Sequence, residues 1–244
     1  MSAPLLVERL DDRVVATLNR PDVRNAIDQA TIDALHELCD ELEKDPRILI
    51  ITGADGVFAS GADIAQLRER TAKDALRGIN ANAFIRVAAL PMPVIAAIDG
   101  YALGGGAELA YAADIRIGTV SLKIGNPETG LGIIAAAGAS WRLKEIVGAA
   151  RAADLLLTGR SVGADEALAI GLVSALHPAE ELLPAAHAIA DRIARNDAAA
   201  TMATKRVLTA PRAEHPRVDL EEQAVLFEGP EKHRRMTEFL EKKK

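Results

Sequence analysis

Apolar residues form short runs along the first half of the chain, and polar or glycine residues bound each run. The first two runs, residues 5–10 and 14–18, flank the polar stretch Asp11-Asp12-Arg13, which predicts a β-hairpin. Three later runs are short and nearly all apolar, a pattern typical of buried strands: residues 48–52, 94–98 and 115–118.

Helical spacing separates these runs. Asp28 or Thr31 can cap a helix that continues to about Lys44, since its apolar positions recur on one face. A second helix is predicted over residues 73–89, and a third begins near Gly105. From about residue 139 strand signals fade, and helices are predicted over residues 139–147, 150–157, 164–170, 180–195, 197–209 and 218–240. The pattern predicts an α/β core over residues 1–190, followed by a helical region over residues 191–244.

Composition narrows the class of function. The formal net charge is −6, with acidic and basic residues interleaved, and aromatic residues make up only 3%. Nucleic-acid binding therefore has neither a basic surface nor stacking side chains to support it. Cys39 is the only cysteine, so no disulfide can form within the chain. We expect no signal peptide, no membrane span and a cytoplasmic location, because no apolar run approaches about 18 residues.

Three consecutive glycines follow the second buried run, in Gly100-Tyr-Ala-Leu-Gly-Gly-Gly-Ala-Glu-Leu-Ala. Such a run costs chain entropy, and it usually marks a place where the backbone approaches another group closely. Helix-forming residues follow, which predicts a helix N-terminus with free N–H groups. The run lacks the spacing of a phosphate-binding loop. It also places the carboxylate of Glu108 one helical turn away, where it suits proton transfer next to a developing oxyanion. The alternative is an exposed, favourable first-turn charge.

Glu128 is the only charged residue between Lys123 and Arg142, within a segment of small and apolar residues. A lone carboxylate in such surroundings tends to have a raised pKa, so that it both accepts and donates a proton near neutral pH. The alternative is a surface turn, Asn-Pro-Glu, with the glutamate in solvent. These observations leave both interpretations open.

Five segments in this order resemble the crotonase family, also called the enoyl-CoA hydratase/isomerase superfamily. They are residues 18–27, 58–64, 100–110, 124–139 and 227–240. The resemblance implies a crotonase-type α/β fold, a spiral of ββα units with a helical C-terminal region that packs into homotrimers, often paired as hexamers. It also implies an acyl-CoA thioester substrate and no cofactor, since coenzyme A is part of the substrate, and it implies no metal site.

The resemblance assigns roles to individual residues. The backbone N–H groups of Ala62 and Gly105 would form an oxyanion hole for the thioester oxygen. Glu108 and Glu128 would hold a water molecule, with Glu128 exchanging the proton at the α-carbon and Glu108 orienting or deprotonating the water. Positions that match coenzyme A contacts in the family are Val23, Arg24, Ala26, Ser60, Asp63 and Ile64.

Both glutamates are present, so the resemblance favours an enoyl-CoA hydratase that makes 3-hydroxyacyl-CoA in fatty-acid or related acyl-CoA degradation. A double-bond isomerase that relies mainly on Glu128 is the nearest alternative, and a non-catalytic acyl-CoA-binding protein is an alternative of a different class. A dinucleotide-dependent reductase fails, because the first strand–helix unit through Asn25 contains no glycine. Ala135, Ala136 and Trp141 depart from the family pattern, which leaves the shape of the acyl pocket, and hence the acyl chain, open.

Overall fold

The structure is a computed structural model that describes residues 3–242. Within that range the strands form one sheet of six and one of three. The strands are β1 (Leu5–Arg9), β2 (Arg13–Leu18), β3 (Ile48–Gly53), β4 (Val94–Ile98), β5 (Tyr101–Leu103), β6 (Ile115–Thr119), β7 (Lys123–Gly125), β8 (Ser161–Gly163) and β9 (Leu176–His177).

Helices connect and cover these strands. The α-helices are α1 (Gln29–Lys44), α2 (Ile64–Glu69), α3 (Ala72–Arg77), α4 (Ile79–Ala89), α5 (Gly105–Tyr111), α6 (Ala139–Val147), α7 (Ala149–Thr158), α8 (Ala164–Ala169), α9 (Ala179–Ala194), α10 (Ala198–Thr209), α11 (Arg217–Glu228) and α12 (Pro230–Glu241). Short 3₁₀ helices span Pro21–Val23, Pro127–Leu131 and Arg212–Glu214. None of the helices within residues 3–242 is long and apolar enough to cross a membrane.

The larger sheet has the order β1-β2-β3-β4-β6-β9. β1 and β2 form the predicted hairpin, antiparallel with Leu5 opposite Leu18, and every later pairing in this sheet is parallel. All five residues of β4 are buried, and β2 and β3 are mostly buried too. Burial on both faces explains why the parallel strands are nearly all apolar. The hairpin and the three buried strands predicted from the sequence are confirmed.

The smaller sheet has the order β5-β7-β8, and no pattern in the sequence predicted it. Its strands have only three residues each, too few to show a period. β4 leads directly into β5 through Gly100, which has a φ of 55°. A Cβ at this position would lie 2.3 Å from the carbonyl oxygen of Gly56, so only glycine fits the turn.

Two predicted helices are divided in the structure. The helix predicted over residues 73–89 is α3 followed by α4, because Gly78 adopts a left-handed conformation with a φ of 62°. The helix predicted over residues 218–240 is likewise α11 and α12, which meet at Gly229. The predicted α1 is confirmed, and its N-cap is Asp28, whose side chain accepts a hydrogen bond from the Thr31 N–H.

The described residues form two compact units, one ending at Ile189 and the other beginning at Ala190. The first contains both sheets and a continuous hydrophobic core, in which Phe58 and Phe84 are among the largest fully buried side chains. The second contains α10, α11 and α12. The domain boundary expected after residue 190 stays a prediction.

Candidate active site

Glu108 lies in the first turn of α5, and its side chain is buried. Gly104 joins β5 to α5 with a φ of 51°. The Oε1 atom of Glu108 accepts hydrogen bonds from the backbone N–H groups of Ala137, at 2.7 Å, and Ala139, at 3.1 Å. Only 4% of Glu108 is exposed. The alternative interpretation of Glu108 as an exposed first-turn charge is therefore wrong.

Glu128 lies in the 3₁₀ helix Pro127–Leu131 and is also buried, with 8% of its surface exposed. Its Oε1 accepts a hydrogen bond from Asn126 Nδ2 at 3.4 Å, whereas its buried Oε2 has no hydrogen-bond partner within residues 3–242. A Cβ at Gly104 would lie 3.2 Å from Oε1, so the glycine leaves room for the carboxylate. The alternative of a surface turn with the glutamate in solvent is wrong.

Burial raises the pKa of both carboxyl groups. The pKa of Glu108 is raised from 4.5 to about 7, chiefly by desolvation and further by the charge of Glu128, while the N–H groups of Ala139 and Ala137 oppose the shift. Desolvation also raises the pKa of Glu128, against hydrogen bonds from its own backbone and from Asn126. Carboxyl groups with raised pKa values can both accept and donate protons near neutral pH. The raised pKa expected for Glu128 from the sequence is confirmed.

Asn126 contacts the carboxylate of Glu128, and Tyr111 contacts Asn126. Neither residue had a role predicted from the sequence. Burial raises the pKa of Tyr111, so its hydroxyl stays protonated and donates a hydrogen bond to Asn126 Oδ1 at 3.1 Å. The amide nitrogen of Asn126 must then face Gly104 O and Glu128 Oε1, each at 3.4 Å. A signal existed in the sequence, because Asn126 is a polar residue in an otherwise small and apolar segment two positions before Glu128.

The backbone N–H groups of Ala62 and Gly105 are available to a ligand. Neither donates a hydrogen bond to another group within residues 3–242. Around Ala62, the bonds of Ile27 N to Gly61 O, 2.8 Å, and Asp63 N to Ile27 O, 2.9 Å, leave the N–H of Ala62 unused. The two segments are close, since a Cβ on Gly105 would lie 3.4 Å from Ala62 N. Two free donors in neighbouring segments can stabilise a developing oxyanion.

A cavity of about 590 Å³ connects these groups. Ala62, Gly105, Glu108 and Glu128 all line it, so the structure brings together the four residues predicted to act on the substrate. Much of the remaining wall is apolar: Leu67, Ile79, Leu131, Ile133 and Ile134. A cavity of this size, apolar with a few convergent polar groups, is typical of small-molecule sites.

Four polar residues that had no predicted role also line the cavity: Arg70, Thr71, Asp74 and Asn80. Arg70 Nη1 donates a hydrogen bond to Asn80 Oδ1 at 2.8 Å, and only 8% of Asn80 is exposed. Asp74 Oδ2 accepts hydrogen bonds from the backbone and hydroxyl of Thr71. No signal for this cluster existed in the sequence, because residues 73–89 were predicted as one uninterrupted helix.

The predicted coenzyme A contacts fall in two adjoining segments. Ser60 and Ile64 line the cavity, and Ser60 is tied to the loop before α1 by hydrogen bonds from its N–H to Arg24 O, 3.0 Å, and from its hydroxyl to Val23 O, 3.3 Å. Val23 is 45% exposed, and Arg24 is exposed with a φ of 53°. These residues therefore form an accessible surface beside the cavity.

Asp63 and Ala26, by contrast, have partners within the protein. Asp63 Oδ1 caps α2 by accepting from Gln66 N at 3.2 Å, and Asp63 Oδ2 lies 3.3 Å from Arg20 Nη2. Arg20 also donates to the carbonyl oxygen of Ala26. Both residues thus hold the loops in place, and their contact with coenzyme A stays a prediction.

Of the positions that depart from the family pattern, Ala136 lines the cavity and the buried Ala135 precedes it. Trp141 lies on α6, 39% exposed and outside the cavity lining, with the guanidinium of Arg142 6.0 Å from its ring centroid. Alanine at position 136 therefore bears directly on the shape of the pocket, whereas Trp141 does not. Residues 3–242 contain no group of three or more His, Cys, Asp or Glu side chains placed to hold a metal ion.

Comparison with known proteins agrees with this geometry. The sequence model of the enoyl-CoA hydratase/isomerase family matches residues 13–244. A probable enoyl-CoA hydratase of Mycobacterium tuberculosis is 42% identical, with 84% of this chain and 80% of the relative covered. A short-chain-enoyl-CoA hydratase of Clostridium acetobutylicum is 38% identical with the same coverage. The crystal structure of an enoyl-CoA hydratase from Bacillus anthracis superposes with a TM-score of 0.93 at 30% identity, over 98% of this chain and 96% of that one.

Proposed function

Because the chain belongs to the enoyl-CoA hydratase/isomerase family and has its crotonase-type α/β fold, we propose that it is an enoyl-CoA hydratase. It adds water across the 2,3 double bond of an enoyl-CoA thioester to give 3-hydroxyacyl-CoA. The observation that carries the proposal is the pair of buried carboxyl groups, Glu108 and Glu128, in one cavity with two free backbone N–H groups. The similarity to proteins named as enoyl-CoA hydratases in M. tuberculosis and C. acetobutylicum supports the proposal.

In the proposed mechanism the thioester oxygen accepts hydrogen bonds from the N–H groups of Ala62 and Gly105. Glu108 takes a proton from water as the water oxygen bonds to the β-carbon, and the π electrons move toward the thioester oxygen as an enolate. Glu128, protonated at the start, donates its proton to the α-carbon. The oxyanion donors stabilise the enolate, and each such donor typically contributes about 10²–10³ in rate.

The backbone hydrogen bonds to Glu108 fit this division of work. Ala137 and Ala139 occupy Oε1, which fixes the carboxylate and leaves Oε2 for water. Glu128 likewise has one hydrogen-bonded and one unbonded oxygen, since Oε1 accepts from Asn126 and the buried Oε2 has no partner within residues 3–242. An unpartnered buried oxygen is costly in a structural carboxylate, but a proton donor needs one free atom facing its substrate.

The proposal includes no cofactor, with coenzyme A entering as part of the substrate along Val23, Arg24, Ala26, Ser60, Asp63 and Ile64. It also includes a homotrimeric or hexameric assembly through the C-terminal helices and a cytoplasmic location. Exposed apolar side chains on α11 and α12, Val225, Phe227, Phe239 and Leu240, support an interface on these helices.

The reaction is tested by adding the purified protein to crotonyl-CoA and following the absorbance of the conjugated enoyl thioester. We expect the absorbance to fall as the double bond is hydrated, and Glu108→Gln and Glu128→Gln to slow this roughly 10²-fold or more. Glu37→Gln is the control, since Glu37 is an exposed carboxylate on α1. Absence of any change with enoyl-CoA substrates of several chain lengths would contradict the proposal.

The same variants separate hydration from isomerisation. A 3-enoyl-CoA substrate gains conjugation when its double bond moves, so isomerisation raises the absorbance that hydration lowers. If Glu108→Gln abolishes hydration and spares isomerisation, the assignment of Glu108 to water stands. If Glu128→Gln retains nearly full activity with both substrates, the mechanism is wrong.

A further inference from the structure

The wall of the cavity carries a cation, Arg70, that makes no direct ion pair with another described residue. The charged side chains that line the cavity are Arg70, Asp74, Glu108 and Glu128. Within residues 3–242 the guanidinium of Arg70 makes one hydrogen bond, to the neutral amide of Asn80, and no ion pair. A guanidinium beside an apolar pocket keeps several N–H groups that need acceptors.

Asp74 makes no ion pair with this cation, although hydrogen bonds from Thr71 and, after them, the charges of Arg77 and Arg70 lower the pKa of Asp74. Its Oδ2 is held by the N–H and hydroxyl of Thr71 at 3.0 and 2.7 Å, in the capping box of α3. Its Oδ1 lies 3.8 Å from Arg77 Nη1, which gives Asp74 a counterion of its own. Within residues 3–242 the guanidinium of Arg70, half-buried after α2, therefore contacts no carboxylate directly.

Asn80 adds a second unused donor next to Arg70. Because Arg70 occupies Oδ1, the amide nitrogen of Asn80 must point the other way. Nδ2 donates no hydrogen bond within residues 3–242, although Asn80 is more than nine-tenths buried and lines the cavity. A Cβ on Gly105 would lie 3.7 Å from Nδ2, which places this donor beside the proposed oxyanion hole.

On the basis of the proposed hydratase function, we infer that the cavity takes a short enoyl-CoA whose acyl chain ends in a carboxylate. Arg70 binds this terminal carboxylate, and Asn80 Nδ2 donates to it or orients the chain beside it. The planar guanidinium presents paired N–H groups that match a carboxylate, and such charge-assisted bonds are stronger than neutral ones. The acyl chain of the substrate must be short, because only the side-chain amide of Asn80 separates Arg70 from the neighbourhood of Gly105.

An acyl chain that ends in a methyl group accepts no hydrogen bond from Arg70 or Asn80. It would contact Ile79 and Leu131, but it would leave Arg70 and Asn80 Nδ2 without acceptors while excluding the water that otherwise solvates them. A site built around polar groups rejects the analogue that lacks their partner more strongly than an apolar pocket rejects a polar one. The pair of polar groups therefore determines specificity rather than the hydration chemistry.

The test compares two substrates of equal carbon number, glutaconyl-CoA and 2-pentenoyl-CoA, which differ by a terminal carboxylate in place of a methyl group. We expect wild-type kcat/KM to be at least about tenfold higher for glutaconyl-CoA, the range of one hydrogen bond to a charged group. Arg70→Gln should abolish this preference through a higher KM for glutaconyl-CoA. Arg70→Lys, which keeps the positive charge but lacks the paired N–H groups of the guanidinium, should retain part of the preference for glutaconyl-CoA.

Arg68→Gln is the matched control, because Arg68 is an exposed arginine of α2 that pairs with Glu69 outside the cavity. It should leave the substrate preference unchanged. A wild-type enzyme that hydrates 2-pentenoyl-CoA as well as glutaconyl-CoA, with a ratio that Arg70→Gln does not alter, overturns this inference and leaves the hydratase proposal intact. Failure to hydrate all three substrates, glutaconyl-CoA, 2-pentenoyl-CoA and crotonyl-CoA, overturns the hydratase proposal itself.

Discussion

Replacing Glu108 with glutamine should stabilise the folded chain at neutral and alkaline pH while removing its activity. The carboxylate is 4% exposed, and ionising it there requires desolvation that the hydrogen bonds from Ala137 and Ala139 only partly offset. Glutamine has nearly the same shape, and its side-chain oxygen can accept the same two N–H donors. The substitution therefore removes the charge while keeping the packing.

The magnitude follows from the pKa. A carboxyl group whose pKa is 4.5 when unfolded and about 7 when folded binds its proton more tightly in the folded chain. Between these two pH values the folded state holds more protons, so the free energy of unfolding falls as the pH rises. The full loss is about 3 kcal/mol, complete above pH 7 and absent below pH 4.5. Glu108→Gln avoids this loss, so its advantage over wild type should grow through the same window.

The assay is urea unfolding of both proteins at several pH values from about 5 to 8, compared as differences so that other titrating groups cancel. The exposed Glu37→Gln serves as the control and should track wild type at every pH. Equal pH dependence of the unfolding free energy in wild type and Glu108→Gln would refute the reasoning. It would mean that Glu108 titrates near 4.5 in the folded chain and is not the base near neutrality that the mechanism uses.

Two further predictions concern the packing around the site. Gly106→Ala should lower the free energy of unfolding by about 1–3 kcal/mol or more in urea titrations, because its Cβ would lie 2.4 Å from Ala59 O. Gly163→Ala, with a φ of −84° and no atom within 4 Å of the added Cβ, should change it by less than about 1 kcal/mol, and an equal loss in both variants would contradict the argument. Tyr111→Phe should lower kcat for crotonyl-CoA roughly three- to tenfold with little change in KM, since it frees the amide of Asn126. A wild-type kcat would show that Asn126 keeps its orientation without the hydroxyl.

The glutamate pair could be predicted because its signals are local in the sequence. Glu108 follows three glycines by one turn, and Glu128 stands alone in a long uncharged segment. These features mark unusual backbone beside Glu108 and unusual burial of both residues; in the structure Gly104 has a positive φ and both glutamates are buried. The separate roles of the two residues came only from the resemblance to the family, because no local feature distinguishes a water-activating carboxylate from one that protonates carbon.

Arg70 and Asn80 could not be predicted, because their contact depends on where the chain turns. In an uninterrupted helix over residues 73–89, Asn80 would lie about two turns from the helix start and so far from Arg70, which precedes the helix. The left-handed conformation of Gly78 ends α3 and starts α4 in a new direction, and this brings Asn80 within 2.8 Å of Arg70. An isolated glycine in a helical pattern is compatible with either outcome, so the sequence did not predict this wall of the cavity.

The glycines 104–106 explain why the site is assembled by backbone as much as by side chains. A Cβ on each would meet a different part of the site: the Glu128 carboxylate at 3.2 Å, the Ala62 N–H at 3.4 Å and the carbonyl oxygen of Ala59 at 2.4 Å. Two segments distant in sequence, residues 59–62 and the segment of Glu128, therefore contact the same short run. The entropy cost of ordering these glycines is met in folding, before substrate arrives. In the proposed mechanism the N–H groups of Ala62 and Gly105 and the two carboxyl groups then need little rearrangement during the reaction, which is the condition for effective electrostatic catalysis.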